Sequence, residues 1–248
     1  MKKEQLTDLE RLAVRERPGG QPVMHQDWGK LLFAHWRMDE ELLRPLIPER
    51  LTIDTFDGSA WVAVTPFTMW DIRAFPPYLP PVPGLNRMHE LNVRTYVHLD
   101  KVPGVWFFSL DANSSIAVMA ARAAFHLPYF NAEMDLKQRG QKIIYSSSRT
   151  DEPAAEFDAT WKIGETIPFS HPGSLEFFLT ERYCLYAASK RKLYRCRIHH
   201  QPWPLQKAEL VSLDSTMIES HDLPTPDGEP LLHYSEELDV DIWPVVEV

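Results

Sequence analysis

The chain has 248 residues, of which 44% are hydrophobic, enough for the core of one large domain. Its 26 basic and 35 acidic residues give a formal net charge of −9, which argues against nucleic acid or an anionic membrane surface as a partner. No apolar run approaches the roughly 20 residues that span a bilayer, and two cysteines do not make a disulfide framework. The first 20 residues are too charged for a signal peptide, so we expect a cytoplasmic protein.

The N-terminal residues 1–20 are expected to form a short helix or tail. Leu6, Leu9 and Leu12 recur every three residues, which is typical of a partly exposed helix, and Pro18-Gly19-Gly20 separates it from the body. No internal repeat or linker divides the rest of the chain. Residues 21–248 are therefore predicted to be a single domain.

The body reads as many short strands with a few helices between them. Five prolines between Phe75 and Leu85 predict an ordered, extended loop that shapes the entrance of a pocket. Strands are predicted at 31–36, 52–55, 60–71, 90–98, 105–110, 142–149, 156–163, 193–200, 208–213 and 233–243, and a further strand follows residues 181–183 and ends at 187. Helices are predicted at 40–46, 116–125, 175–180 and 214–221.

The stretch from Glu90 to Phe130 contains the most informative pattern. Along the first strand Glu90, Asn92, Arg94 and Tyr96 share one side, and the opposite side is mainly apolar. Val102-Pro103-Gly104 is predicted to turn the chain into a second, apolar strand.

The helix that follows has Ser114 or Ser115 as its cap and stops before Pro128. Its predicted buried stripe consists of Ile116, Met119, Ala120 and Ala123.

Two charges in this unit, Glu90 on the strand and Arg122 on the helix, have two interpretations. One is a solvated strand face and an exposed helical arginine. The other is a polar pocket at the mouth of a sheet, which would hold an acidic or carbonyl-containing ligand.

A family resemblance favours the pocket. It rests on Glu90, the Ser109-Leu110-Asp111-Ala112 turn, Arg122, Leu127-Pro128, and the upstream run from Leu43 to Asp54. These features resemble the acetoacetate decarboxylase-like superfamily, and more closely its uncharacterised YqjF-like branch, over roughly residues 25–243. The resemblance implies an α+β fold: a large antiparallel sheet curled into a barrel or cone, with a few short peripheral helices.

One departure from the decarboxylases concerns their chemistry. In that family two lysines follow the proline, and one of them forms a Schiff base with the substrate. Here Tyr129 and Phe130 stand at these positions, and an aromatic side chain cannot form an imine. A further arginine of the decarboxylase pocket aligns with Gly29. The resemblance therefore supports the fold and not decarboxylation.

The candidate catalytic residues are Glu90 as general acid or base, Arg122 as the group that holds a carboxylate or polarises a carbonyl, and Tyr129 as proton donor. Candidate substrate-binding residues are His126, Asn92, Arg94 and Phe130. If the protein is an enzyme, we expect lyase, isomerase or hydrolase chemistry without an imine. Two alternatives stay open: a non-catalytic ligand-binding protein with a Glu90–Arg122 pair, and an ion pair with no ligand.

The ten histidines do not form a recognisable metal motif. His199 and His200 are adjacent, and neighbours on a strand point to opposite faces. There is no HExxH and no CxxC. We expect no metal and no cofactor, an anionic or carbonyl-containing small molecule as partner, and leave a homo-oligomer open.

Overall fold

The computed structural model describes residues 5–74 and 87–248. The predicted proline-rich loop lies outside these residues. Within them, no helix has both the length and the apolarity needed to cross a membrane.

The described residues form thirteen strands and four short α-helices. The helices are α1 (Asp8–Ala13), α2 (Glu40–Leu43), α3 (Ser115–Phe125) and α4 (Leu175–Thr180), with 3-10 turns at Arg44–Leu46 and Glu219–His221. The strands are β1 (Met24–Met38), β2 (Thr52–Ile53), β3 (Ala60–Ala74), β4 (Arg87–Leu99), β5 (Val102–Ala112), β6 (Tyr129–Arg139), β7 (Lys142–Arg149), β8 (Glu156–Thr166), β9 (Cys184–Ser189), β10 (Lys192–His199), β11 (Gln206–Ser215), β12 (Leu231–Ile242) and β13 (Val246–Glu247).

All thirteen strands belong to one sheet, in the order β13-β10-β9-β5-β6-β7-β8-β11-β12-β1-β3-β4-β2. Additional pairings of β4 with β5 and of β10 with β12 bring the sheet back onto itself, so the strands run round in a ring. The pairings are antiparallel except those of β5 with β6 and with β9. This is the predicted α+β fold with a curled sheet and peripheral helices.

The hairpin of β4 and β5 turns earlier than predicted. Asp100 and Lys101 form the turn, both with positive φ (49° and 65°). The predicted turn residues Val102-Pro103-Gly104 begin β5 instead. Gly104 marks a close approach rather than a turn, because a Cβ there would lie 2.7 Å from the carbonyl oxygen of Cys184 on the parallel neighbour β9.

Two further sequence predictions in this part of the chain were wrong. The expected helix at 214–221 is absent: β11 continues to Ser215, and only the 3-10 turn at Glu219–His221 follows. Strand β6 was missed, because Tyr129–Arg139 is largely exposed and lacks an apolar run. The helix caps were predicted better, since Asp39 and Ser114 cap α2 and α3.

Helix α1 is held against the body. Leu6 and Val14 are buried. Arg11 donates two hydrogen bonds to the Asp54 carboxylate, at 2.6 and 2.7 Å. Arg182 donates to the same carboxylate at 2.7 Å, so this acid connects the N-terminal helix to the segment between α4 and β9.

Candidate functional site

The polar side of β4 faces an internal cavity of about 230 Å³. Glu90, Asn92 and Arg94 occupy every second position of β4, so all three project from the same side of the strand. All three line the cavity, as the alternating pattern indicated.

Glu90 is the acid at the centre of this site. Its side chain is only 3% exposed, and its carboxylate accepts a hydrogen bond of 2.7 Å from the Tyr129 hydroxyl. Burial raises the pKa of Glu90 from its ordinary 4.5 to about 7, although hydrogen bonds from Tyr129 and Asn92 oppose the rise. At neutral pH Glu90 is therefore present in both protonation states and can give or take a proton.

Tyr129 reaches Glu90 through the register of three strands. Asn92 pairs with Leu110 across β4 and β5, and Leu110 pairs with Tyr129 across β5 and β6. These three side chains form a row that lines the cavity. Desolvation and the neighbouring Glu90 raise the pKa of Tyr129 well above its ordinary value, so its hydroxyl remains a hydrogen-bond donor.

Arg94 is the cation of the cavity. Among the described residues, no carboxylate lies within ion-pair distance of it. Its guanidinium lies 5.2 Å from the ring centre of Phe33, and its buried Nε has no hydrogen-bond partner among the described residues. An arginine without a carboxylate partner can bind an anionic or carbonyl oxygen without first breaking an ion pair.

Other polar atoms that line the cavity also have no hydrogen-bond partner within residues 5–74 and 87–248. They are Thr65 Oγ1, Asn92 Oδ1 and Trp203 Nε1, from residues at most 4% exposed. Leaving such an atom unpaired costs about 1–3 kcal/mol, which a bound polar molecule would offset. Neither Thr65 nor Trp203 was predicted as a site residue from the sequence.

Most of the cavity wall is apolar. Trp28 stacks on Trp203 with ring centres 6.4 Å apart and meets Phe67 edge-on at 5.6 Å. Helix α3 contributes four alanines, at positions spaced i, i+3, i+4 and i+7 along one helix face: Ala117, Ala120, Ala121 and Ala124. The stripe expected from the sequence was wrong, since Ile116 and Met119 are 49% and 65% exposed.

Arg122 does not belong to this cavity. It lies five residues after Ala117, about 140° round the helix from the cavity face. Its side chain is 47% exposed and pairs with Asp151 at 2.9 Å, while its Nε donates to the Tyr129 carbonyl at 2.7 Å. The predicted Glu90–Arg122 pair is therefore wrong. A non-catalytic ligand-binding protein does not depend on this pair and stays an open alternative. The sequence gave no sign of Asp151.

His126 and Phe130 also lie outside the cavity. His126 ends α3 in the left-handed conformation, with its ring centre 4.5 Å from that of Tyr194. It lines a separate open groove of about 590 Å³ together with Arg122, so it does not support the Tyr129 hydroxyl. The Phe130 ring lies over the guanidinium of Arg149 at 4.2 Å and is a packing residue.

The Phe130 ring covers a fully buried ion pair on the neighbouring strands. Arg149 donates from Nε and Nη2 to both oxygens of Asp111, at 2.8 and 2.9 Å. A third bond from Arg149 reaches Ser109 at 3.0 Å. These residues fix β5 against β7 and leave Glu90 without an arginine partner from this side.

The residues at the positions of the decarboxylase lysines and arginine cannot take the roles of those side chains. No lysine is found among the described residues that line the cavity. At Gly29 an added Cβ would lie 2.4 Å from the Glu236 carbonyl oxygen and 2.4 Å from the Trp70 ring. A side chain at position 29 would require Trp70 of β3 to move, so the structure has no room there for the arginine.

Comparison with known proteins agrees with this fold. The chain is 44% identical over 229 residues to the uncharacterized protein YqjF of Bacillus subtilis (strain 168), covering 92% of this chain and 93% of the relative. A structure of the enduracididine biosynthesis enzyme MppR, complexed with the condensation product of pyruvate and imidazole 4-carboxaldehyde, superposes with a TM-score of 0.64 at 10% identity, covering 92% and 90% of the two chains. An acetoacetate decarboxylase-like enzyme from Sphingomonas wittichii RW1 gives 0.61 at 11% identity, covering 92% and 94%.

At these identities the structural neighbours establish the acetoacetate decarboxylase-like fold and nothing about chemistry. The sequence relationship is closer. Residues 25–239 match the model of the family DUF2071, described as an uncharacterized conserved protein. Together with the identity to YqjF, this match shows that the chain belongs to the DUF2071 family.

Proposed function

We propose that this protein is an enzyme that binds a small carbonyl- or carboxylate-containing molecule in the β4 cavity and moves a proton on it with Glu90, without an imine. The observation that carries the proposal is the buried Glu90–Tyr129 hydrogen bond of 2.7 Å, with a Glu90 pKa of about 7. A general acid or base works best when its pKa lies near the working pH.

Five polar side chains of the cavity have a role in this proposal. Arg94 binds the carboxylate or polarises the carbonyl oxygen, and Asn92 and Thr65 supply further hydrogen bonds. Glu90 removes or returns a proton on the carbon beside the carbonyl, and Tyr129 holds Glu90 in place. The reaction class is proton transfer next to a carbonyl, as in isomerases and lyases.

The structural neighbours point to the same class of ligand. The MppR complex contains a product derived from pyruvate, which is a 2-keto acid, and acetoacetate decarboxylase is named for a keto acid. This support comes from similarity of fold alone. The imine mechanism is not carried over, because this chain lacks the lysine that would form the imine.

A non-catalytic ligand-binding protein is the second candidate, favoured by the cavity wall. Aromatic and aliphatic side chains form most of that wall, among them Trp28, Phe67, Met88 and Phe125. Such a wall suits binding of an apolar body next to a polar group. The two candidates differ in whether Glu90 exchanges a proton with the ligand.

Binding is tested first. Trp28 and Trp203 line the cavity, so their fluorescence should report a ligand. Pyruvate, acetoacetate, 2-ketobutyrate and longer 2-keto acids are titrated, with thermal shift as a second readout. We expect Arg94→Gln to weaken binding by about 10- to 100-fold, the value of a hydrogen bond to a charged group. Arg122→Gln is the matched control and should leave binding unchanged.

Chemistry is then tested on the compounds that bind. In D₂O, an enzyme of this type exchanges the protons next to the carbonyl, which ¹H NMR follows directly. Exchange in the wild type and not in Glu90→Gln supports the enzyme; binding without exchange supports the non-catalytic candidate. A stoichiometric lysine adduct after borohydride treatment with pyruvate would overturn the imine-free mechanism.

A further inference from the structure

A second cluster of polar side chains lies on the opposite face of the strand that lines the cavity. Along β1, Met24, Gln26 and Trp28 line the cavity. The residues between them, His25 and Asp27, therefore point to the other side of the sheet. The proposed function does not use this outer face.

Three side chains from two strands converge there. One ligand atom each from His25, Asp27 and Asp71 lies within 4.8 Å of the other two. The distance from His25 Nε2 to Asp27 Oδ1 is 3.4 Å. Two ligands of a tetrahedral Zn²⁺ ion, bound at about 2.0–2.1 Å, are separated by about 3.3–3.4 Å, so this pair already has a suitable spacing.

A bulge in β3 brings Asp71 to the cluster. His25 pairs with Arg73 and Asp27 pairs with Trp70, so β3 has one residue more than β1 between these two pairs. Asp71 has a positive φ of 50°, within this bulge. A bulge changes the direction of a side chain that regular alternation would place elsewhere.

The hydrogen bonding of His25 turns one of its two ring nitrogens towards the cluster. Its Nδ1 lies 3.0 Å from Asp241 Oδ1, its cross-strand partner on β12, and Arg17 holds the other oxygen of Asp241 at 2.7 Å. Because a carboxylate only accepts hydrogen bonds, Nδ1 is the ring nitrogen that can donate to Asp241, and Nε2, on the side of Asp27, is the one available to an ion. Metal-binding histidines commonly donate their other ring N–H to a carboxylate, a backbone carbonyl or water.

The charges around the cluster favour a cation. Asp27 and Asp71 place carboxylate oxygens next to the His25 ring, and a bound ion would replace the contact between His25 Nε2 and Asp27. Asp239, paired with Asp27 across β1 and β12, adds negative charge. Arg73 binds both oxygens of Asp71, from Nε to Oδ1 and from Nη2 to Oδ2, each at 2.6 Å, and each oxygen keeps a further lone pair.

We propose that His25, Asp27 and Asp71 bind a divalent transition-metal ion, for which Zn²⁺ is the test case. One imidazole and two carboxylates are ligands for Zn²⁺, Co²⁺ or Mn²⁺ rather than for Ca²⁺ or Mg²⁺, which take oxygen ligands. The side chains are partly exposed, at 25%, 21% and 34%, so the ion can enter from solvent and keep a water ligand. The bound ion links β1 to β3 and, through His25 and Asp241, to β12.

The experiment is a calorimetric titration of the metal-free, full-length protein with Zn²⁺, with thermal unfolding at each ratio. We expect one Zn²⁺ per chain and a rise in Tm. His25→Gln and Asp27→Asn should each weaken binding at least tenfold and abolish the rise, as for loss of a metal ligand. His171→Gln is the matched control, because His171 is an exposed histidine far from the cluster in sequence, bonded to the Pro172 carbonyl, and should change nothing.

Co²⁺ substitution makes the test independent of the variants. Visible d–d bands of the wild-type Co²⁺ form, displaced by one equivalent of Zn²⁺, would support the site even if a variant fails to fold. No saturable binding, or equal weakening by His171→Gln, would overturn it. In that case a doubly protonated His25 bridges Asp27 and Asp241, and the cluster is a set of ion pairs.

Discussion

Two carboxylates of this protein, Glu90 and Asp54, are equally buried, at 3% exposure, yet their pKa values shift in opposite directions. Burial alone raises both. At Asp54 attraction to Arg182 and Arg11 outweighs burial, so its pKa falls. Glu90 has a tyrosine and an amide as partners and no arginine, so its pKa rises to about 7. The partners, and not the depth of burial, separate a structural acid from a reactive one.

The largest effect is expected when Glu90, the reactive acid, is replaced. Glu90→Gln keeps the shape of the side chain and the acceptor for Tyr129 but cannot transfer a proton. We expect exchange of the protons next to the carbonyl to slow by about 10²- to 10⁴-fold, the usual contribution of general acid–base catalysis. The rate is measured by ¹H NMR in D₂O. A rate unchanged from the wild type would remove Glu90 from the chemistry.

Replacing Asp54, the structural acid, should lower the unfolding free energy and leave the rate of proton exchange unchanged. Asp54→Ala leaves Arg182, whose side chain is 3% exposed, without its partner. Breaking a buried ion pair in this way costs about 3–5 kcal/mol of unfolding free energy, measured by urea denaturation. Asp158→Ala, at an exposed position, is the control and should change stability by about 0.5 kcal/mol or less. A loss that small for Asp54→Ala would show that the arginines find other partners.

The two acids should also give opposite dependences of stability on pH. The pKa of Glu90 is 4.5 in the unfolded chain and about 7 in the native state, so between these pH values the native state binds more protons than the unfolded state. The contribution of Glu90 to stability therefore falls as pH rises through this window. The difference amounts to at most about 3 kcal/mol. The stability of Glu90→Gln relative to wild type should therefore increase from pH 4.5 to pH 8 in urea denaturation.

Asp54 has the reverse sign because its pKa is lowered in the native state. Its contribution is complete above its unfolded pKa of 3.8 and is lost as pH falls below that value. The deficit of Asp54→Ala should thus be constant from pH 5 to pH 8 and shrink below about pH 4. Parallel pH curves for the Glu90 and Asp54 variants would contradict the assignment of opposite shifts.

A smaller effect is expected from the hydrogen bond that holds Glu90. Tyr129→Phe keeps the ring and removes the hydroxyl, so the unfolding free energy should fall by about 0.5–1.5 kcal/mol. Since the Tyr129 hydrogen bond lowers the pKa of Glu90, its loss should move the acid limb of the pH–rate profile to higher pH. If the profile does not move, Tyr129 is only a packing residue.

The smallest effect concerns the arginine that the sequence had placed next to Glu90. Arg122 pairs with Asp151 at the surface, and exposed ion pairs contribute about 0–1 kcal/mol. Arg122→Gln should therefore change the urea midpoint little and should not alter the pH–rate profile of Glu90. A shift of that profile would show an electrostatic connection between Arg122 and the cavity.

The candidate site was only partly predictable from the sequence. Alternation along β4 correctly placed Glu90, Asn92 and Arg94 on one face, because side-chain direction in a strand depends only on position. The buried side of helix α3 was predicted wrongly, because Ile116 and Met119 form one apolar stripe and Ala117 and Ala121 form another. A helix that is apolar on two sides does not specify which side is buried.

Local pattern by itself determined the caps of α2 and α3, the polar face of β4 and, with the family resemblance, the curled sheet. Only the tertiary structure decided which strands are neighbours, and hence that Tyr129 meets Glu90, that Arg122 meets Asp151, and that His25 meets Asp241. Periodicity records which way a side chain points, but the register between distant strands depends on how the whole sheet closes. The alanine face of α3 lines the cavity, and larger side chains there would fill part of the space that Glu90 and Arg94 face.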